Sequence, residues 1–174
     1  MISNNLIPEK INDYNAYLDG VKMIGVAASV TIPEINMKTS TVTGVGVGGE
    51  LDSPTIGQFE SMEQEVQFNT LYSSAVGMLS PLSTVNLTFR AAQQVYDRTG
   101  GYTFKGLRIV ERGRVKKFNP GKIEKGEAME ASITLELTAI MIEVDGKEFV
   151  NIDKLNNVYN VDGQDMLAGI SELT

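Results

Sequence analysis

The chain has 174 residues, 42% of them hydrophobic and 21% charged, with 15 Lys and Arg against 22 Asp and Glu, a formal charge of −7. That length can bury a real core, and the acidic balance argues against a protein dedicated to gripping nucleic acid, which needs surplus cations to displace phosphate counterions. His, Cys and Trp are absent, which removes His- and Cys-based nucleophilic catalysis, thiol redox chemistry, ordinary zinc sites and disulfides.

In chain order, Met1 to Lys10 lacks the basic leader and apolar run of an export signal, and no apolar stretch of about 18 residues follows, so folding in a cytoplasm without a membrane anchor is expected. Asp19-Gly20, between Ala16-Tyr17-Leu18 and Val21-Lys22-Met23-Ile24, suits a two-residue hairpin, because both positions tolerate positive φ. Thr39, Thr41 and Thr43 alternate with Ser40 and Val42 and run into Gly44-Val45-Gly46-Val47-Gly48-Gly49. A ribbon with so few side chains to pack at home is expected to project. Met62, Val66 and Phe68 alternate with Glu63, Glu65 and Gln67 as in a half-buried strand. Leu71, Tyr72, Ala75, Val76 and Leu79 recur at helical spacing before Pro81.

A strand is expected from Ser83, where Val85, Leu87, Phe89 and Ala91 alternate with Thr84, Asn86, Thr88 and Arg90. Thr99-Gly100-Gly101 should turn it into another from Tyr102 to about Phe118. From Lys105 to Lys125 the chain carries a local charge of +6, leaving −13 on the remainder, a segregation that lets copies attract one another. Met129 to Met141 read as one long strand, its odd positions dry and its even positions wet. Asp145-Gly146 is a second hairpin turn, and a weaker helical segment runs from Asp162 towards Ile170. The fold class that follows is mainly β: an antiparallel β-sandwich or barrel with one flanking α-helix and a long projecting hairpin or loop.

The candidate chemical motifs are incomplete. Gly44, Gly46 and Gly49 match G-x-G-x-x-G, but Glu50-Leu51-Asp52-Ser53-Pro54 opens no helix to hold a pyrophosphate. Asn160 to Asp165 resembles the middle of a calcium loop, yet Val158 and Gly169 stand where ligands are needed; a turn capping the last helix is expected instead. Glu63 with Glu65, and Glu130 with Glu136, could be posed as glycosidase carboxylates, but no aromatic sugar platform surrounds them. No cofactor or metal is expected, and no enzyme.

Collinear motifs carry a resemblance. Tyr17-Leu18-Asp19-Gly20, Gly25-Val26-Ala27-Ala28-Ser29-Val30-Thr31-Ile32-Pro33, the glycine-rich ribbon, Arg112-Gly113-Arg114-Val115-Lys116, Gly126-Glu127-Ala128-Met129-Glu130, Asp145-Gly146-Lys147-Glu148, Ile152-Asp153, Asn156 and Val161-Asp162-Gly163 occur in this order. Together they resemble the major tail tube proteins of contractile-tailed bacteriophages and tail-like bacteriocins, a family similar in fold to the type VI secretion tube protein.

The resemblance implies a subunit of hexameric rings that stack into an inner tube, with inner sheets joined edge to edge around a channel that passes DNA without binding it. It implies one domain over residues 1–174, with an N-terminal arm 1–14 and a ribbon at about 38–57. In that setting Val42, Thr43, Gly44, Val45, Gly46, Val47, Gly48, Gly49, Glu50 and Leu51 are the expected contact with the next ring. Arg112, Arg114, Lys116 and Lys117 are candidate subunit-interface charges, and Glu63, Glu65, Glu130 and Glu136 candidate lumen acids. The implied partners are other copies of the chain and the tail sheath, baseplate and tail terminator proteins. The implied place is the virion tail, assembled in the bacterial host cytoplasm. A type VI-like tube and a β-sandwich binding module are the alternatives; the second would need an exposed aromatic groove, which the scattered aromatics do not suggest.

Overall fold

A computed structural model describes residues 6–174. In chain order the elements are β1 (Leu6–Leu18), β2 (Val21–Lys22), β3 (Met37–Val42), β4 (Leu51–Phe59), β5 (Glu63–Phe68), α1 (Ser73–Val76), β6 (Val85–Asp97), β7 (Gly101–Asn119), β8 (Ala131–Val144), β9 (Lys147–Asp153), β10 (Val158–Val161), β11 (Gln164–Asp165) and α2 (Ala168–Ser171). Of the expected arm, residues 1–5 lie outside the described residues, and residues 6–14 are the first part of β1, paired with β6.

Nine strands form one antiparallel sheet in the order β11-β10-β9-β8-β7-β6-β1-β2, with β5 also joined to β8, while β3 and β4 pair separately. The sheet does not close into a barrel. β8 has β7 on one flank; on the other it meets β5 along its first half and β9 along its second. Tight turns join the neighbours. Asp19 and Gly20 adopt φ of 47° and 84°, and Asp145 and Gly146 adopt 53° and 79°, as two-residue hairpins of this hand require. Asp162 and Gly163 do the same between β10 and β11, so this pair is a third hairpin turn and not the cap of the last helix.

One face of the sheet carries the core. Val85, Leu87, Phe89, Ile109, Ile133, Leu135 and Leu137 are buried there beneath Met23, Phe59, Met62 and Met78. Gln64, also fully buried, pins the covering segment by donating from Nε2 to the Thr31 carbonyl at 3.0 Å. Two sequence expectations change. The odd-position alternation of β8 holds only to Leu137, because Gly113 faces Leu137 while the preceding Arg112 faces Ala139, leaving Thr138 as a bulge. A bulge adds one residue to a period of two and so exchanges the faces. Ile140, not Ala139 or Met141, is therefore the buried residue beyond it. The strand also starts at Ala131 and not Met129, since Glu130 adopts φ 56° and Met129 is tied to Lys122 and Asn69.

The expected flanking helix shrinks to the single turn α1. No side chain caps its start, and Gly77 ends it; Ala75 and Met78 are buried, whereas Leu71 and Val76 face water.

A carboxyl sits in the middle of this core. Leu87, Glu111, Ile140 and Ile152 lie side by side across β6, β7, β8 and β9. Glu111 is 1% exposed, and neither carboxyl oxygen has a hydrogen-bond partner among the described residues. Burial disfavours the ionised form and raises its pKa to about 8, so the group is mostly neutral at pH 7. Because the folded-state value lies above the unfolded one, the stability tied to this proton is complete below the ordinary value of 4.5 and is lost as pH rises through about 8. The unfolding temperature of the dilute subunit should therefore fall between about pH 5 and pH 9, and Glu111→Gln, neutral throughout, should remove most of that fall. A variant that follows the wild-type profile would show that Glu111 is not held dry.

Candidate functional site

Three surfaces lie uncovered among the described residues. The first is the ribbon. Val42 pairs with Leu51 and Thr39 with Pro54, leaving residues 43–50 as the loop. Every residue from Lys38 to Asp52 is exposed, Val45 completely so. Val42, Val47 and Leu51 are partly exposed apolar side chains beside it. The root is held firmly. Between the Thr39–Pro54 and Met37–Phe59 pairs the register shifts, bending the hairpin, and Phe59 packs edge-on against Tyr159 at 5.0 Å between ring centres. Gly57, at φ 82°, lies so close to Leu167 that a Cβ there would meet its Cδ2 at 2.6 Å. The C-terminal turn α2 thus rests on the root of the ribbon. No helix follows Gly44, Gly46 and Gly49, so they form no phosphate cradle.

The second surface is a sheet edge. β1 is paired with β6 along its length but with β2 only at Tyr17 and Leu18. The flank of residues 6–15 has no strand partner among the described residues. Register shifts at Glu9 and Asn12 twist it, and such bulges limit indiscriminate pairing. Beside this edge, Ile7, Tyr96, Tyr102 and Phe104 occupy one face of neighbouring strands. Tyr102 and Phe104 are more than half exposed, and the Tyr96 and Tyr102 rings lie 5.3 Å apart. The sequence reading expected no exposed aromatic cluster; strand pairing across the Thr99-Gly100-Gly101 turn brings one together.

The third surface is the sheet face opposite the core, where antiparallel register sorts the basic run of β7 into rows. Arg108 lies beside Glu143, which faces Glu148 on β9; Arg112 lies in line with Ala139 and Asp153. Arg114 lies beside Glu136, which faces Glu63 on β5, and Lys117 is in line with Thr134 and Glu65. Each row sets a cation of β7 against a carboxylate of β8 or of the strand beyond. Arg108 Nη2 reaches Glu143 Oε2 at 2.7 Å. Lys116, displaced by a bulge, bonds the Glu63 carboxylate and lies 3.5 Å from that of Glu136. Its pKa is raised chiefly by the hydrogen bond to Glu63. Asp153 is held below its ordinary value, mainly by the side-chain hydrogen bond from Asn156 and in smaller part by the charge of Arg112.

The structure thus places the expected lumen acids Glu63, Glu65 and Glu136 on the same face as the expected interface cations Arg112, Arg114, Lys116 and Lys117. Glu130 lies apart from the rows, beside Lys122 at 3.7 Å in the turn before β8. Arg114 and Lys117 form no ion pair among the described residues, and Arg112 Nε donates to Asn86 Oδ1 at 3.3 Å. Asp162, once a candidate for a calcium loop, is held by Lys147 at 2.6 Å. Among the described residues no group of three or more acidic side chains is arranged to hold a metal ion, and no helix is long and apolar enough to cross a membrane.

Comparison with known proteins adds an independent line. The family model described as phage tail tube protein FII matches residues 8–172. The tail tube protein of Escherichia phage P2 is 28% identical over 161 residues, covering 92% of this chain and 94% of that protein. The major tail tube protein of Serratia phage KSP20 is 26% identical over 168 residues, covering 92% of this chain and 91% of that protein.

The clasp at the ribbon root can be tested by comparing two glycines at positive φ. Ala costs about 1 kcal/mol of backbone strain at either Gly46 or Gly57, but only at Gly57 must Leu167 give way; a Cβ at Gly46 would point into open space. Amide exchange of Ile170 to Leu173 should quicken in Gly57→Ala and stay unchanged in Gly46→Ala. Equal exchange in both would mean that α2 does not depend on the ribbon root.

Proposed function

The chain belongs to the phage tail tube protein FII family, and from that premise we propose that its hexameric rings stack into the inner tube of a contractile tail, of a phage or of a tail-like bacteriocin. As a member of this family it is a structural protein of the virion tail. The tube is a passive conduit for DNA or ions, assembled in the host cytoplasm. Contraction of the sheath drives it through an envelope, and the baseplate and terminator proteins bound its ends.

The observation that carries the reading is the open flank of β1. A long strand edge with unsatisfied N–H and C=O groups invites pairing with another chain, and in a closed ring every such edge finds one. The outer flank of β5 at Glu63 to Val66 offers a strand of the opposite end: beyond the bridge at Phe68 and the bond from Gln64 Nε2 to the Glu65 carbonyl it has no strand partner among the described residues. The apolar cluster of Ile7, Tyr96, Tyr102 and Phe104 adds area to such a joint. The ribbon, Val42 to Leu51, reaches the next ring, which explains a rigid root below an unsupported tip. In this scheme residues 1–174 act as one domain, from which the ribbon extends, while residues 6–14 of the expected arm are built into the sheet. Arg114 lies beside Glu136, and Lys116 is bonded to Glu63, so both face carboxylates of their own sheet.

The exposed aromatic cluster favours one other reading, a β-sandwich binding module that works alone. The two differ in association: a binding module stays monomeric at high concentration, and a tube subunit gives rings or tubes in negative-stain electron microscopy.

Removing Gly44 to Gly49 should leave the circular dichroism spectrum of the subunit unchanged, since that loop contributes nothing to the core, yet abolish long tubes while sparing single rings. Long intact tubes from the deletion variant would show that the ribbon does not join rings.

A further inference from the structure

The rows on the face opposite the core pose an electrostatic question. β7 carries five cations between Arg108 and Lys117, enough to bind a polyanion if they stood free. Attraction to nucleic acid comes chiefly from counterions released as protein cations neutralise phosphates. A cation already facing a carboxylate gains little from a phosphate, because approach also brings phosphate and carboxylate together.

The acids need the cations as much. Glu63 and Glu136 are direct cross-strand partners, an arrangement that like charges disfavour, and the Lys116 ammonium sits between them. Ser61 Oγ donates to Glu136 at 2.7 Å and fixes the same carboxylate.

We propose that this face is the channel wall, and that the cross-strand register makes it inert to a polyanion by setting the five cations from Arg108 to Lys117 in rows with carboxylates, rather than by presenting a uniformly acidic surface. The cargo assignment rests on the tube reading; the charge matching stands without it. Glu63, Glu136 and Glu143 keep Arg108, Arg114 and Lys116 from phosphate. Glu130, off the rows, has no part.

The test measures binding of a fluorescein-labelled double-stranded DNA oligonucleotide to the full-length protein by anisotropy across a salt series. Glu63→Gln, Glu136→Gln and Glu143→Gln combined should tighten binding at least about tenfold over wild type at low salt, with a log–log salt slope of about −2 to −3 for the freed cations. A control with the same change of net charge, Glu34→Gln, Glu50→Gln and Glu172→Gln combined, alters exposed acids off this face and should gain far less. Glu143→Gln alone, freeing only Arg108, should give a smaller gain in the same direction and covers the case in which the triple variant does not fold.

No gain in the folded variants, or an equal gain in the control, overturns the charge matching. Electron microscopy of the same samples separates the two ideas: tubes without the DNA effect sink only the wall, whereas a wild type that never associates sinks the tube.

Discussion

Backbone hydrogen bonding decides what this chain can become. β8 is satisfied on both flanks, by β7 on one and by β5 and β9 in succession on the other. That arrangement leaves the middle of the sheet self-sufficient and moves the incompleteness outward, to β1 and β5. Side-chain packing does not repair it, since residues 7–13 of β1 are exposed. A monomer must leave those polar groups to water, while a second copy can engage them in a ladder.

The same pairing fixes the electrostatics. Because Thr138 bulges, the second half of β8 turns Ile140 inward and aligns Arg112 with Ala139 and Asp153. Without the extra residue the faces beyond it would exchange, placing charged groups in the core and aliphatic ones on the opposite face. The buried carboxyl of Glu111 marks the cost of so exact a register: it lies in a row with Leu87, Ile140 and Ile152, where only its neutral form is comfortable.

Much of this was legible in the residues. Asp-Gly between alternating segments announced two hairpins, glycine density announced a ribbon apart from the core, and collinear motifs pointed to the tail tube family that the comparisons support. What stayed hidden depends on contacts between distant segments. Alternation through Met141 looked continuous because Ala139 and Met141 are apolar; only pairing with Arg112 and Gly113 discloses the bulge. Glu63 and Lys116 read as an acid of one surface and a cation of another until register joined them. Gln64 and Glu111 carry polar signatures that place them outside by composition, and the Leu71 to Leu79 stripe suited a longer helix than Gly77 and an uncapped start sustain.

The central claim is that identical neighbours complete a strand edge the subunit leaves open. Its most direct measurement is residue-resolved amide hydrogen exchange of β1, residues 7–15, in dilute subunit and in assembled material. The account predicts that the amides on the free flank, those not bonded to β6, exchange rapidly in the subunit and become strongly protected in the polymer. Protection already present in the isolated subunit, or rapid exchange persisting in verified polymer, would contradict it.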